Sequence, residues 1–165
     1  MALLNIQTLG AEVLRRPADP VDGPELELDR LIDDMFETMY DSSGIGLAAP
    51  QVGVSKRVIV VDVNEPGTRP FALLNPRVTW SSDHPDKAEE GCLSIPGVSG
   101  VVERPYAVVV EGLDRAGKPV RIEAEAMLAR CLQHEIDHLD GVLFIDRMSP
   151  LKRNMVLRKY RKQAT

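Results

Sequence analysis

Aromatic residues are scarce in this sequence: Phe, Tyr and Trp together make up 4% of it. A core must therefore be built from Val, Ile, Leu, Ala and Met, which a hydrophobic content of 44% allows. Cysteine is scarce too. Two cysteines, Cys92 and Cys131, without a secretion signal do not make a disulfide framework. They point to a reducing compartment, with thiols free for metal or chemistry. No apolar run approaches the roughly 20 residues that a membrane helix needs. Met1-Ala2-Leu3-Leu4-Asn5 has no basic region ahead of an apolar stretch, so it does not read as a signal peptide. The expectation is a cytoplasmic protein with no membrane partner. The net charge of −5 argues against a general nucleic-acid binder, and no DNA partner is expected. Repeats, low-complexity tracts and internal linkers are missing as well, so the chain, 1–165, is expected to form one domain.

What is present is clear hydrophobic periodicity at both ends. Pro20-Val21-Asp22-Gly23-Pro24 is a breaker cluster, with Asp22 or Gly23 expected to cap the helix that follows and Pro24 in its first turn. Leu28, Leu31, Ile32, Met35, Phe36 and Met39 then recur at steps of three and four, one apolar face of an amphipathic helix. The middle reads as strands: Arg57 to Val63, Phe71 to Leu74 with Val78 to Trp80 broken at Pro76, Val101-Val102, and Ala107 to Val110. Asp114-Arg115-Ala116-Gly117 reads as a hairpin turn into Val120 to Glu123. From about Ala124 the pattern is helical again through Met127, Leu128, Cys131, Leu132, Ile136 and Leu139. Ser149-Pro150 opens a last, basic helix over 150–165, Ser as cap and Pro at its first position. Strands in the middle and helices at the ends predict an α+β fold, not a doubly wound parallel sheet.

The strongest chemical signal is His134-Glu135-Ile136-Asp137-His138. Residues four apart share one helix face, so both imidazoles can reach a single ion, while Glu135 can reach a water beside it. Two neutral nitrogens leave coordination positions open and a carboxylate can take a proton. Zinc endopeptidases carry the same motif, so the third ligand must decide. The longer peptidase pattern keeps its glycine at Gly141, but Phe144 stands where its third histidine belongs. A downstream Glu, the other ordinary completion, does not occur after His138. Upstream, His84 lies in the polar loop Ser81 to Asp86 and reads as solvated. Cys131 is on the metal helix itself. Three ligands from one helix enclose an ion poorly, so it reads as a small core residue. Cys92, in Glu90-Gly91-Cys92-Leu93-Ser94, comes from a separate segment and could close the site. Spacing alone leaves that open.

Three segments together carry a resemblance. Gly44-Ile45-Gly46-Leu47-Ala48-Ala49-Pro50-Gln51, Glu90-Gly91-Cys92-Leu93-Ser94 and Gln133-His134-Glu135-Ile136-Asp137-His138 resemble the three signature motifs of peptide deformylases, in the family's order and with similar spacings. The resemblance implies a metal-dependent amidohydrolase that removes the N-formyl group from the N-terminal formylmethionine of nascent polypeptides, releasing formate. It implies an α+β fold of mostly antiparallel sheets packed around a central metal-binding helix. In that reading Cys92, His134 and His138 hold one divalent ion, with the fourth position left to water. Glu135 is general base and then acid. Gln51, through its amide, and Leu93, through its N–H, stabilise the developing oxyanion. The native ion would be ferrous iron (Fe2+), with Zn2+, Ni2+ or Co2+ able to replace it.

The resemblance also implies that the peptide binds as an added strand near Ile45, Gly46 and Gly91. Its methionine pocket would be formed by Ile45, Glu90, Met127, Arg130, Cys131 and His134. Arg130 departs from the apolar residue of many members, and its stem is expected to line the pocket while its head reaches water. Ser99 departs from an arginine that contacts peptide in some members. Glu90 and Arg104 are expected to form an ion pair. The six cations Lys152, Arg153, Arg158, Lys159, Arg161 and Lys162, with no acid among them, make ribosome contact through the C-terminal helix an expectation. The alternatives are a zinc endopeptidase and an inactive, deformylase-like metal-binding protein.

Overall fold

The computed structural model describes residues 2–164; Met1 and Thr165, the last residue of the expected C-terminal helix, lie outside them. Helix α1 (Leu26–Asp41) buries Leu28, Ile32, Met35 and Met39, the stripe set by its periodicity. Its N-cap is Glu25 rather than Asp22 or Gly23, and Pro24 precedes the helix instead of entering it. No side chain caps this end. The negative Glu27 and Asp29 of the first turn favour it through the helix dipole instead.

Seven strands follow: β1 (Gly46–Ala48), β2 (Val58–Val61), β3 (Phe71–Ser81), β4 (Pro85–Cys92), β5 (Ile95–Pro105), β6 (Ala107–Leu113) and β7 (Pro119–Glu125). They form a five-stranded sheet in the order β1-β2-β3-β6-β7 and a separate β4–β5 hairpin. Every ladder between these strands is antiparallel; the parallel pairing Asp19–Lys56 is an isolated bridge. The fold is thus α+β with antiparallel sheets, as the sequence predicts.

Pro76 does not end a strand. β3 runs through it with one register shift across it, between Leu74 and Arg77, and a second just beyond, between Val78 and Trp80. A bulge removes the need for the amide hydrogen that proline lacks. Across from it, a Cβ on Gly112 would lie 3.0 Å from the Leu74 carbonyl oxygen and 3.1 Å from Pro76 Cα, so glycine lets β6 close on the bulge without displacing its backbone. The pattern of residues does not show β4, and its start at Pro85 falls within the 81–86 segment that reads as a polar loop; only the resemblance implies a strand carrying Cys92. Its register with β5 pairs Asp86 with Arg104 and Lys87 with Glu103, so charges meet across the hairpin.

Helix α2 (Ala126–Leu139) lies between the five-stranded sheet and the hairpin. Ala129, Leu132, Ile136 and Leu139 pack with Ile59, Leu73, Val108 and Val110 of the sheet. Helix α3 (Pro150–Ala164) starts as foreseen, with Ser149 Oγ accepting from the Lys152 N–H at 3.4 Å. It seats Val156 and Tyr160 against Ile95, Val98 and Val102 of β5. No helix among the described residues is long and apolar enough to cross a membrane.

Candidate metal centre and active site

The β4–β5 hairpin turns through Leu93 and Ser94, with Cys92 opposite Ile95. The turn points Cys92 at α2. Cys92 Sγ lies 3.3 Å from His138 Nε2. The ligand atoms of Cys92, His134 and His138 all lie within 4.8 Å of one another. This is a one-thiolate, two-imidazole donor set from two separate segments, which suits a divalent transition ion. The other cysteine, Cys131, is outside the set. It is buried in the apolar cluster facing the sheet, and burial, reinforced by Glu135 and Glu90, raises its thiol well above the usual range. His84 sits apart on the surface, edge-on to Tyr106.

The electrostatics fit a cation. Burial alone would push the His134 imidazole down. Its contacts with Cys92 and Glu90, and the Glu135 charge, outweigh that and raise it well above the usual range. Cys92, Glu90 and Glu135 thus favour positive charge at the His134 ring itself. His138 is driven the other way, first by burial and then by the cations around it, and stays neutral as a ligand must. His134 Nδ1 meets Glu90 Oε1 at 2.9 Å, which leaves Nε2 free for a metal. Phe144 stacks on the His134 ring at 6.2 Å and walls the site with apolar surface.

Glu135 projects beside this cluster. Burial, only partly offset by His134, pushes its carboxyl up to about 7. Its Oε1 is buried and has no hydrogen-bond partner among the described residues. A carboxylate so placed is suited to exchange a proton near neutral pH. It fits only because β1 carries Gly46 there: a Cβ at that position would come within 2.7 Å of both Glu135 Oε2 and Cys131 Sγ.

Gln51 is buried in the short 3-10 turn after β1. Its Oε1 accepts from the Ala48 N–H at 2.9 Å, which fixes the amide's orientation. Nε2 is then directed to Ser94 Oγ at 3.1 Å and toward Cys92 Sγ at 3.6 Å. A cavity of about 620 Å³ opens over these groups, and Ile45, Gly91, Leu93 and Met127 lie along its walls. β1, an edge strand of the sheet, borders it.

Two features were not legible in the sequence. The Arg130 head is not in water. It donates to Glu90 Oε2 at 2.6 Å and to the carbonyls of Val102 and Asp86, because the hairpin closes over α2 at this point. Asp137 joins the same network between Arg104, at 3.0 Å, and Arg147, at 2.8 Å. Helical spacing was the available signal: Arg130, His134 and Asp137 share one face. The expected Glu90–Arg104 pair forms, and although burial alone would raise Glu90, bonds from His134 and Arg104 hold its carboxyl at about 2. Ser99 donates to Glu89 Oε1 at 3.1 Å.

A cysteine sulfur, two histidines and an adjacent carboxylate below a cleft bordered by an edge strand are the donor set and proton carrier of a metal-dependent hydrolase. The comparisons with known proteins narrow this. The family model described as polypeptide deformylase matches residues 3–154. The chain is 54% identical to a peptide deformylase of Rhizobium meliloti over 154 residues, covering 92% of this chain and 88% of that protein. It is 50% identical to one from Hydrogenovibrio crunogenus, covering 99% and 96%. A crystal structure of a peptide deformylase from Legionella pneumophila superposes with a TM-score of 0.92 at 48% identity, covering 98% of this chain and 95% of that one. The chain belongs to the polypeptide deformylase family. It is a metal-dependent hydrolase that removes N-formyl groups, and neither the endopeptidase nor the inactive alternative is favoured.

Proposed function

We propose that Cys92, His134 and His138 hold one divalent ion and that Glu135, Gln51 and Leu93 carry out deformylation of N-formylmethionyl nascent peptides around it. The carrying observation is the convergence of the three donors within 4.8 Å of one another, with Glu135 Oε1 buried and unpartnered among the described residues. When bound, a divalent ion supplies Lewis acidity, making water nucleophilic near neutral pH and polarising a carbonyl. Glu135 takes the proton from the attacking water and passes it to the leaving amine. Gln51 Nε2, held by its Oε1 bond to Ala48, donates to the oxygen that gains charge at the formyl carbon. The Leu93 N–H, on the hairpin turn, is the second donor. Formate and a free N-terminal methionine result.

The peptide extends along the outer edge of β1, bonding to Ile45, Gly46 and Gly91 as an added strand. Its methionine side chain enters between Ile45, Glu90, Met127, Arg130, Cys131 and His134. Backbone pairing of this kind tolerates many residues after the first. The whole chain acts as one catalytic domain, in the cytoplasm. A formate-release assay on formyl-Met peptides tests this reading. Release of formate that falls away in Glu135→Ala with metal retained supports it. Cleavage of the peptide bond, or no turnover by the folded, metal-loaded chain, contradicts it.

By ligand type one cysteine sulfur with two imidazoles suits Fe2+ and Zn2+ alike; ferrous iron is proposed because the family resemblance implies it. Metal analysis of anaerobically purified protein, paired with activity, tests this. An Fe2+ form should lose activity in air as Cys92 oxidises, whereas a Zn2+ form should not. The cations of α3 are assigned to ribosome contact: Lys152, Arg158, Lys159, Arg161 and Lys162 are exposed. Because Val156 and Tyr160 pack on β5, charge reversal tests this better than deletion. Arg158→Glu with Lys159→Glu should weaken ribosome co-sedimentation, most visibly at moderate salt, and leave turnover of short peptides unchanged. Unaltered co-sedimentation would leave α3 as a solvated helix.

A further inference from the structure

Arg130 has only 7% of its side chain exposed. Its donors are committed: Nη1 to Glu90 Oε2 at 2.6 Å and to the Val102 carbonyl at 3.0 Å, Nη2 to the Asp86 carbonyl at 2.7 Å and the Asp86 carboxylate at 3.3 Å. Two of these acceptors are backbone groups on β4 and β5, so the guanidinium is fixed relative to the hairpin itself. Arg104 also binds Glu90, at both oxygens, but it is shared with Asp137. Its position answers to two side chains. Arg130 is the partner of Glu90 that is referenced to backbone. It also stands one turn before His134 on the same face of α2, so clamp and ligand ride on one rigid element.

We propose that Arg130 is a positioning residue for His134: it holds Glu90 Oε2 so that Glu90 Oε1 faces His134 Nδ1, and so aims His134 Nε2 at the metal. The proposal rests on reading His134 as a ligand. A carboxylate on the far nitrogen of a ligating histidine sets its tautomer and ring orientation, and losing such a partner typically costs about 10–100-fold in metal affinity or activity. The planar fork matters. A lysine ammonium is a compact point charge and cannot span Glu90, Val102 and Asp86 together.

The test combines metal release with kinetics. In Arg130→Met, release of the ion to a chelator should be about 10–100-fold faster than in the parent. Because Arg130 also walls the methionine pocket KM can rise, but kcat should fall by a larger factor than KM rises, and the visible spectrum of the Co2+ form should shift. Arg130→Lys should lie between, and it carries the test if Arg130→Met does not fold. In a Glu90→Gln background Arg130→Met should add nothing further, because the effect runs through Glu90. Parental release rates in both Arg130 variants, full additivity with Glu90→Gln, or a change confined to KM would overturn the proposal. The last would make Arg130 a pocket wall only. His134→Ala, run alongside, separates the two levels. Metal retained there overturns the ligand set, whereas metal lost there with parental release in the Arg130 variants overturns only the positioning role.

Discussion

The two faces of α2 are both buried, and they are built from opposite materials. Toward the five-stranded sheet the helix presents Ala129, Leu132, Ile136 and Leu139 to an apolar cluster. On the other side it presents Arg130, His134 and Asp137 to Glu90 and Arg104 of the hairpin and to Arg147 of the turn that follows α2. The first face is stabilised by area removed from water. The second must recover the cost of desolvating charge, which it does only because each guanidinium lies against a carboxylate. A buried charged face of this kind is a poor source of stability and a good source of fixed geometry. It is placed where one of its members, His134, has to be aimed.

The comparison breaks most severely at the functional side. Glu135→Gln should leave metal content unchanged and lower kcat by about 10²–10⁴-fold, since it removes the proton carrier and no ligand. A near-parental kcat would remove Glu135 from the mechanism. Arg104→Met should come next. It leaves Glu90 with Arg130 and His134, and Asp137 with Arg147, so it should cost less than the about 3–5 kcal/mol of a fully stranded buried charge in urea unfolding, and it should loosen the ion. Leu132→Ala on the apolar face should cost about 2–5 kcal/mol with the ion still bound and kcat little altered. If Leu132→Ala released the metal as readily as Arg104→Met, the division of labour between the faces would fail.

A smaller effect comes from pH. Glu90 is held at about 2, below its usual 4.5, by His134 and Arg104 against the opposing effect of burial. A carboxyl depressed in the folded state adds stability that is complete above its unfolded value and is lost as pH falls through the folded one. The stability gap between the parent and Glu90→Gln, both measured with chelator, should therefore narrow as pH drops from about 4.5 toward about 2. A gap that is flat across that window would mean Glu90 is not held by its partners.

How much was legible in the sequence follows the same division. The apolar stripes of α1 and α2 and the Ser149-Pro150 start of α3 could be read directly, because periodicity and capping are local properties. The strand β4 could not. Ser81 to Asp86 reads as a solvated loop until Arg104 and Arg130 are brought to Asp86 and Glu90 from β5 and α2. The Arg130 head failed for the same reason, since its acceptors are 28 to 44 residues away in the chain. His134 and His138 were visible as a spacing, Cys92 was a candidate that spacing left open until the resemblance, and Gln51 became a candidate only through the resemblance of its segment. Nothing in Gln51 itself signals that Ala48 will orient its amide. The bulge at Pro76 was misread as a break because the compensating glycine, Gly112, lies on another strand.

The central claim is that the metal centre is closed from the hairpin and not from within α2. Its most direct measurement is the metal content of Cys92→Ala and Cys131→Ala, purified anaerobically side by side. Cys131 is part of α2 and Cys92 faces it from the hairpin, but only Cys92 belongs to the three-donor cluster. Cys92→Ala should retain little metal, and Cys131→Ala should retain a full equivalent. Full occupancy in the Cys92 variant, or loss in the Cys131 variant, would contradict the account.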